Sequence, residues 1–315
     1  MGPPTGLDPA TAARLARLLG RDLTAARSLG GQHGVRHYRL ELADGSTAFA
    51  KLLNPQSEGN GLVPTSAAPQ TAADEATADE DPAGFAAEAA GLRWLAAGDA
   101  VPVPSVLACG PNCLIIEWVD DGRPSAAAAA RFGRELAKLH AGGAGRFGAP
   151  WPGVIAGLPL PDHEAESWPD WYAASRVLPY ARMARDAGTL TSAEVALIES
   201  ACARLPELAG PAEPPSRIHG DCWAGNVLWS GGRGWLIDPA AHGGHRETDL
   251  AMLALFGAPY LDRILSAYEE AVPLADGWRG RVPMHQLHPL LVHACLFGRS
   301  YADAALGAAR AVLAA

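Results

Sequence analysis

The sequence predicts an α+β fold of two lobes, a small antiparallel sheet first and a mainly helical lobe after it. Three observations carry this. The first 121 residues hold short β-forming runs joined by turns, one of them Asp44-Gly45, the strongest short hairpin signal. From Ser125 onward most of the chain reads as Ala- and Leu-rich helix. The length, 315 residues, suits two domains or one two-lobed unit with a substantial core. Composition changes at Asp120-Asp121-Gly122, which sets the lobes at 1–121 and 122–315.

Residues 8–19 read as a packing helix, with Asp8 as N-cap, Pro9 at the first helical position and Gly20 as its stop. Residues 28–53 read as β: SLGGQHGVRHYRLEL runs into Asp44-Gly45, and STAFAKLL returns. The glycines at its front, Gly30 and Gly31, fit either a plain turn or a loop whose N–H groups face phosphates. Strand residues alternate sides, so Thr47, Phe49 and Lys51 share one face. Among 25 basic residues only Lys51 and Lys138 are lysine. A lysine amid so much arginine points to a site that needs a compact ammonium.

Residues 54–81 hold six carboxylates and no aromatic or basic side chain, the composition of a flexible acidic loop. Asp81-Pro82 then opens a helix to about Ala97, with Gly98 as its stop. Phe85, Glu88, Leu92 and Leu95 follow 3-4-3 spacing and share a face. A carboxylate there needs a partner or an outward reach, and Lys51 is the expected partner. Val106 to Cys109 and Cys113 to Val119 make two strands around Gly110-Pro111-Asn112. Backbone groups at Glu117, Trp118 and Val119 are candidates for holding a nucleotide base.

The second lobe opens with a helix from Ser125 to Ala141, in which His140 reads as a packing or capping group. Residues 142–162 are rich in Gly and Pro and read as loop. Helices follow from Trp168 and over about 191–209, and others near 249–257, 260–271 and 284–298 finish the chain.

Between them lies RIHGDCWAGNVLWSGGRGWLIDPAAHGGHRETD, residues 217–249. Val227-Leu228-Trp229 and Trp235-Leu236-Ile237 flank a Gly-rich link and read as a hairpin. With the turn centred on Gly232, Asn226 faces Asp238 at the open end. Asp221 sits in the loop entering the hairpin. Asp221 alone is ordinary turn chemistry. Together the three offer hard oxygen ligands of the kind magnesium takes alongside phosphates. His219, Asp221 and Asn226 also fit the H-x-D-x-x-x-x-N spacing of a kinase catalytic loop, where the Asp accepts the substrate proton and the Asn and a later Asp hold metal. Lys51 with Glu88 fits the strand–helix pair that places ATP phosphates in the same template.

A net charge of −9 argues against a nucleic-acid partner. No apolar run suits a bilayer and no secretory signal is legible, so neither membrane nor export is expected. Five cysteines with no C-x-x-C pair read as free thiols in a cytoplasmic protein, Cys222 among them as a small buried residue. A monomer or weak dimer is expected. Trp168, Trp171, Tyr172 and His288 are candidates for an acceptor pocket, each equally suited to core packing.

These runs resemble the fructosamine kinase (ketosamine-3-kinase) family, within the aminoglycoside-phosphotransferase-like branch of the protein-kinase-like fold. The resemblance rests on GGQHGVRHYRLELADGSTAFAKLL, FAAEAAGLRWLAA, HGDCWAGN, IDPAAHGGHRETDLAMLALFG, AYEEAVPLADGW and FGRSY. It implies ATP- and Mg2+-dependent phosphorylation of a sugar hydroxyl in a small-molecule ketosamine or glycated lysine, and release of the amine as deglycation repair. Asp221 would be the base, Asn226 and Asp238 the metal ligands, Lys51 and Glu88 the phosphate-placing pair. The chain departs from the family at His33, where some relatives carry Cys, at Cys222, where Leu is usual, and at Leu160-Pro161-Asp162, where a Gln-x-Asn-like run is expected. The rival readings are an aminoglycoside or other small-alcohol phosphotransferase, a non-catalytic nucleotide-binding regulator, and a metallohydrolase using His219, Asp221, Asp238, His242 and His245.

Overall fold

The computed structural model describes residues 6–32, 34–53 and 84–315. The acidic stretch 54–81, the helix start at Asp81-Pro82 and His33 lie outside them. Helix α1 (Pro9–Leu19) is capped by the Asp8 carboxylate and stopped at Gly20, as its sequence predicts. A five-stranded antiparallel sheet follows, in the order β1-β2-β3-β5-β4. Its strands are β1 (Leu23–Gln32), β2 (Val35–Leu42), β3 (Thr47–Leu53), β4 (Val106–Gly110) and β5 (Cys113–Glu117). The run SLGGQHGVRHYRLEL is thus two strands, β1 and β2, since the chain pairs on both sides of a turn near Gly34. Its first strand begins five residues earlier than the sequence signals. β5 ends at Glu117, and Trp118 and Val119 continue outside the sheet.

Helix α2 (Phe85–Ala96) packs on this sheet through Phe85, Leu92 and Leu95, each at most 1% exposed. Two glycines let it sit close to the helical part. A Cβ on Gly91 would stand 3.2 Å from the Ala241 side chain, and one on Gly84 would stand 3.0 Å from Val154. Val154 belongs to a short hairpin, β6 (Gly153–Ile155) with β7 (Leu158–Leu160), inside the stretch read from sequence as loop. Strands of three residues are too short for an alternation signal.

The remaining helices are α3 (Ala126–Ala141), α4 (Trp168–Tyr172), α5 (Leu178–Asp186), α6 (Ser192–Leu208), α7 (Arg246–Phe256), α8 (Leu261–Ala271), α9 (Trp278–Phe297) and α10 (Arg299–Ala314). A π turn, Ala173–Val177, joins α4 to α5. Two elements correct the sequence reading. Helix α9 starts six residues before 284 and keeps Pro283 and Pro289 in its interior, because buried Trp278, Met284, Leu287 and Leu291 override the local cost of proline. Helix α10 was not anticipated, although Ala302, Ala305, Leu306, Ala309 and Val312 give it a buried face at helical spacing.

Two small ladders carry the central stretch: β8 (Ser216–Ile218) with β11 (His242–Gly244), and β9 (Val227–Ser230) with β10 (Arg233–Leu236). The β9–β10 hairpin closes on two residues only, Gly231 (φ 57°) and Gly232 (φ 72°). Positive φ at both central positions is the geometry of the type I′ turn, which suits the twist of the flanking strands. This turn shifts the register by one residue from that expected. Leu236 faces Val227, and the Ile237 N–H donates to the Asn226 carbonyl (3.1 Å), so Asp238 lies one step beyond the position opposite Asn226.

The helical core contains several histidines. Burial holds His242 and His245 down to about 3, so both stay neutral in the fold. In the unfolded chain they titrate near 6.5. Their contribution is therefore complete above about 6.5 and is lost as pH falls towards 3, because only the unfolded chain takes up the protons. The melting temperature is expected to drop by roughly 5–10 °C between pH 7 and pH 4.5. Thermal melts across that range check it, and an unchanged melting temperature would contradict it.

Candidate active site

The centre of the site is one ammonium. Lys51 on β3 donates to both carboxylate oxygens of Glu88 on α2, at 2.8 and 2.7 Å, and to Asp238 Oδ1 at 2.8 Å. Burial opposes the charged form of Lys51, but Glu88 and Asp238 outweigh it and hold the group above its ordinary value. Asp238 has a left-handed backbone, φ 52°, a conformation rare outside glycine and tolerated best by Asp and Asn. Its side chain is 36% exposed. With Oδ1 on Lys51, its second oxygen is left to other partners.

Asp221 and Asn226 come from the loop between β8 and β9. Asn226 Nδ2 donates to the Asp221 carbonyl (2.9 Å) and to Asp221 Oδ2 (2.8 Å). That spends the amide nitrogen and leaves Asn226 Oδ1 as an acceptor. Asp221 Oδ1 makes neither of these bonds. Burial pushes the Asp221 carboxyl up to about 7; the Asn226 hydrogen bond opposes this, and the charges of Asp238 and Asp249 reinforce it.

The loop is held from behind by a residue that sequence reasoning missed. Asp249, on α7 and 1% exposed, accepts the His219 N–H at 2.7 Å and the Gly220 N–H at 2.9 Å. His140 Nε2 donates to the same carboxylate at 3.1 Å, while His140 Nδ1 meets the Tyr268 hydroxyl at 2.8 Å. His140 is therefore a buried support, as a packing role predicts. Burial opposes the Asp249 charge, but the His140 bond and charge, with the His219 N–H, keep the carboxyl below its ordinary range. Gly220 has φ 81°, and a Cβ there would stand 2.2 Å from the Ala240 carbonyl, so only glycine lets the loop pass. The one sequence signal for Asp249 is a charge leading the apolar run Leu250 to Leu253.

Gly30, His37 and Lys51 form one row across β1, β2 and β3. Gly30 and Gly31 thus lie within β1, near its turn, and Gly30 is in register with Lys51. Phe49 shares the face, 6.4 Å from the Trp118 ring, and the Arg39 guanidinium lies 4.8 Å over that ring. Glu117 is tied to Ser105 by its side chain, at 3.2 Å to the N–H and 3.0 Å to the hydroxyl.

The aromatic candidates come together in the structure. Trp168, Trp171, Tyr172 and His288 are 1–4% exposed and pack in the helical core. Trp168 stacks on Tyr172 at 4.7 Å, and the Tyr172 hydroxyl donates to the Met284 and His285 carbonyls. The four also line one small cavity, with Gly220 and His242 in its wall. The aromatic residue beside Asp221 is Trp223, 38% exposed and only two positions along the chain from it. Cys222 is buried, as expected.

The residues of the metallohydrolase reading do not converge. His219 Nε2 meets the Ile237 carbonyl (2.9 Å) and His242 Nδ1 the Ala240 carbonyl (2.7 Å). Among the described residues, the group close enough to share an ion is His245, Glu247 and His285, and there Arg281 already occupies both Glu247 oxygens.

Residues 75–315 match the model of the fructosamine kinase family. A probable ketoamine kinase of Synechocystis sp. is 34% identical over 227 residues, covering 69% of this chain and 74% of that protein. A Thermobifida fusca protein solved under the name fructosamine-3-kinase is 48% identical, with a TM-score of 0.85 over 97% of this chain and 99% of that one. The gentamicin complex of APH(2'')-IIa, at 12% identity and a TM-score of 0.60 over 99% and 97% of the two chains, shares the protein-kinase-like fold.

Proposed function

Because this chain belongs to the fructosamine kinase family, we propose that it transfers the γ-phosphoryl group of ATP to a ketosamine sugar hydroxyl through Asp221, in a cleft between lobes 1–121 and 122–315. The enzyme is an ATP-dependent phosphotransferase acting on ketosamines, and a deglycation role is consistent with its family. The observation that carries the site assignment is the Lys51 ammonium, bonded at once to Glu88 on one side and Asp238 on the other.

In this reading the sugar hydroxyl gives its proton to Asp221 Oδ1 while its oxygen forms the new bond to phosphorus and the bond to the ADP oxygen breaks. Asn226 holds Asp221 in place through Oδ2. Asn226 Oδ1 and the second oxygen of Asp238 are hard donors of the kind magnesium takes, so these two residues would hold the ion. Held by these two residues, the ion would supply charge neutralisation to the phosphates. Lys51, steadied by Glu88, orients the phosphates, and the bare backbone at Gly30, next to Gly31, lies in register with it. Backbone groups at Glu117, Trp118 and Val119 receive the adenine. Such a reaction needs positioning and charge neutralisation more than covalent help.

Free thiols and a net charge of −9 support a cytoplasmic enzyme with no nucleic-acid partner, working as a monomer or weak dimer on a small molecule or a glycated lysine. Among the described residues no helix is long and apolar enough to cross a membrane.

Turnover of ATP to ADP with magnesium, run in parallel on ribulosyl-lysine, fructosyl-lysine and an aminoglycoside, tests the substrate. Ketosamine-dependent ADP release supports the reading, and release with the aminoglycoside alone would replace it. Lys51→Met is expected to raise the KM for ATP and to lower kcat/KM by about 10²-fold or more, since a clamp on the transferring phosphoryl group is removed. Steady-state kinetics at varied ATP check it.

A further inference from the structure

Beside Asp221 runs a band of aromatic side chains that the phosphoryl-transfer residues do not use. It begins at Trp223. A Cβ on Gly225 would stand 2.2 Å from the indole, so the catalytic loop is built to carry this ring against its own backbone. From Trp223 the rings continue in contact. Phe256 follows at 5.9 Å, His293 at 5.0 Å beyond it, then Phe297 at 5.5 Å and Tyr301 at 4.9 Å from His293. These come from the end of α7, the last turns of α9 and the first turn of α10. Trp223 and Phe297 are exposed, at 38% and 56%. The two exposed rings are joined by the half-buried Phe256, His293 and Tyr301, and the row starts two residues from Asp221.

The band also offers a polar group. His293 Nδ1 donates to the Pro289 carbonyl at 2.8 Å, which leaves Nε2 with a lone pair for a passing N–H. At the far end Arg299 is paired with Glu194 (2.7 Å) and Asp303 (2.6 Å), so its charge is compensated against a basic segment.

We propose that this band is a carrier subsite: it holds the polypeptide around a glycated lysine and favours an aromatic or aliphatic residue about three positions away. The inference rests on the ketosamine kinase reading and adds a selectivity to it. The ring steps place Phe297 no more than about 16 Å from Trp223. With the sugar at Asp221, the four-carbon lysine stem spans the near part of that distance. An extended chain advances about 3.3 Å per residue, so a side chain about three positions along meets Phe297. A free glycated amine leaves Phe297 and Tyr301 untouched.

The test uses two peptides, each with one ribulosylated lysine, bearing Phe or Gly three positions from it on both sides, together with free ribulosyl-lysine. The full-length enzyme is expected to prefer the Phe peptide about tenfold in kcat/KM through a lower KM, the worth of burying much of one aromatic side chain. In Phe297→Ala the ratio of the two peptides is expected to fall to about one. Equal kcat/KM for both peptides in the wild type, with free ribulosyl-lysine turned over, overturns the carrier subsite alone. No turnover of any of the three or of their fructosyl counterparts overturns the kinase reading and the subsite with it. Concentration-dependent dimerisation abolished by Phe297→Ala, with no peptide preference, assigns the band to a second copy of the chain instead.

Discussion

Asp221→Asn is expected to bind ATP as the wild type does and to lose turnover by about 10²–10⁴-fold, the usual worth of a general base. The substitution keeps the shape of the side chain and its neighbour Asn226, and removes only the oxygen that takes the proton. Nucleotide titration beside ADP-release kinetics separates the two effects, and undiminished ADP release would refute the assignment. The same variant carries a stability signature. The Asp221 carboxyl, pushed up to about 7 by burial, titrates near 3.9 in the unfolded chain. The fold therefore favours its protonated form. That stability is complete at low pH and is lost as pH rises through 7. At pH 8 in chelating buffer the wild type bears the full cost of the buried charge, and the Asn variant does not. Its melting temperature should exceed the wild type's at pH 8, with the gap closing towards pH 4.

Asp249→Asn is expected to cost about 3 kcal/mol or more in stability and to cut kcat by about 10²-fold with little change in the KM for ATP. Three donors converge on this carboxylate: the His219 and Gly220 N–H groups and His140. An amide has one acceptor oxygen to offer, so its NH2 faces a donor, and a buried polar group left unsatisfied is expensive. The loop carrying Asp221 then loses its anchor, and a displacement near 1 Å can cost about 10²-fold in rate. Denaturant melts and steady-state kinetics report both effects. A variant with normal kcat and lowered stability would show that Asp249 serves the fold alone.

The charged centre of the site was legible because its signals are local. Alternation put Lys51 and Phe49 on one face, helical spacing put Glu88 on the face of Phe85 and Leu92, and the spacing from Asp221 to Asn226 read directly as a loop entering a hairpin. The hairpin register was off by one because five residues, Ser230 to Gly234, were assigned to a link that the two glycines close alone. Asp249 was hidden for a different reason. Its partners are backbone N–H groups 29 and 30 residues earlier, and a main-chain donor leaves no mark in sequence. Trp168, Trp171, Tyr172 and His288 suited core and pocket equally in the sequence, because an aromatic that fills one looks like an aromatic that lines the other; in the fold they are buried and share a cavity. Helix α10 had a legible buried stripe, hidden by its alanine-rich composition.

Close packing at Gly91 joins the helix bearing Glu88 to Pro239 and Ala241, the residues just past Asp238. A side chain at position 91 would press on both and wedge apart the two acidic walls that hold the ammonium.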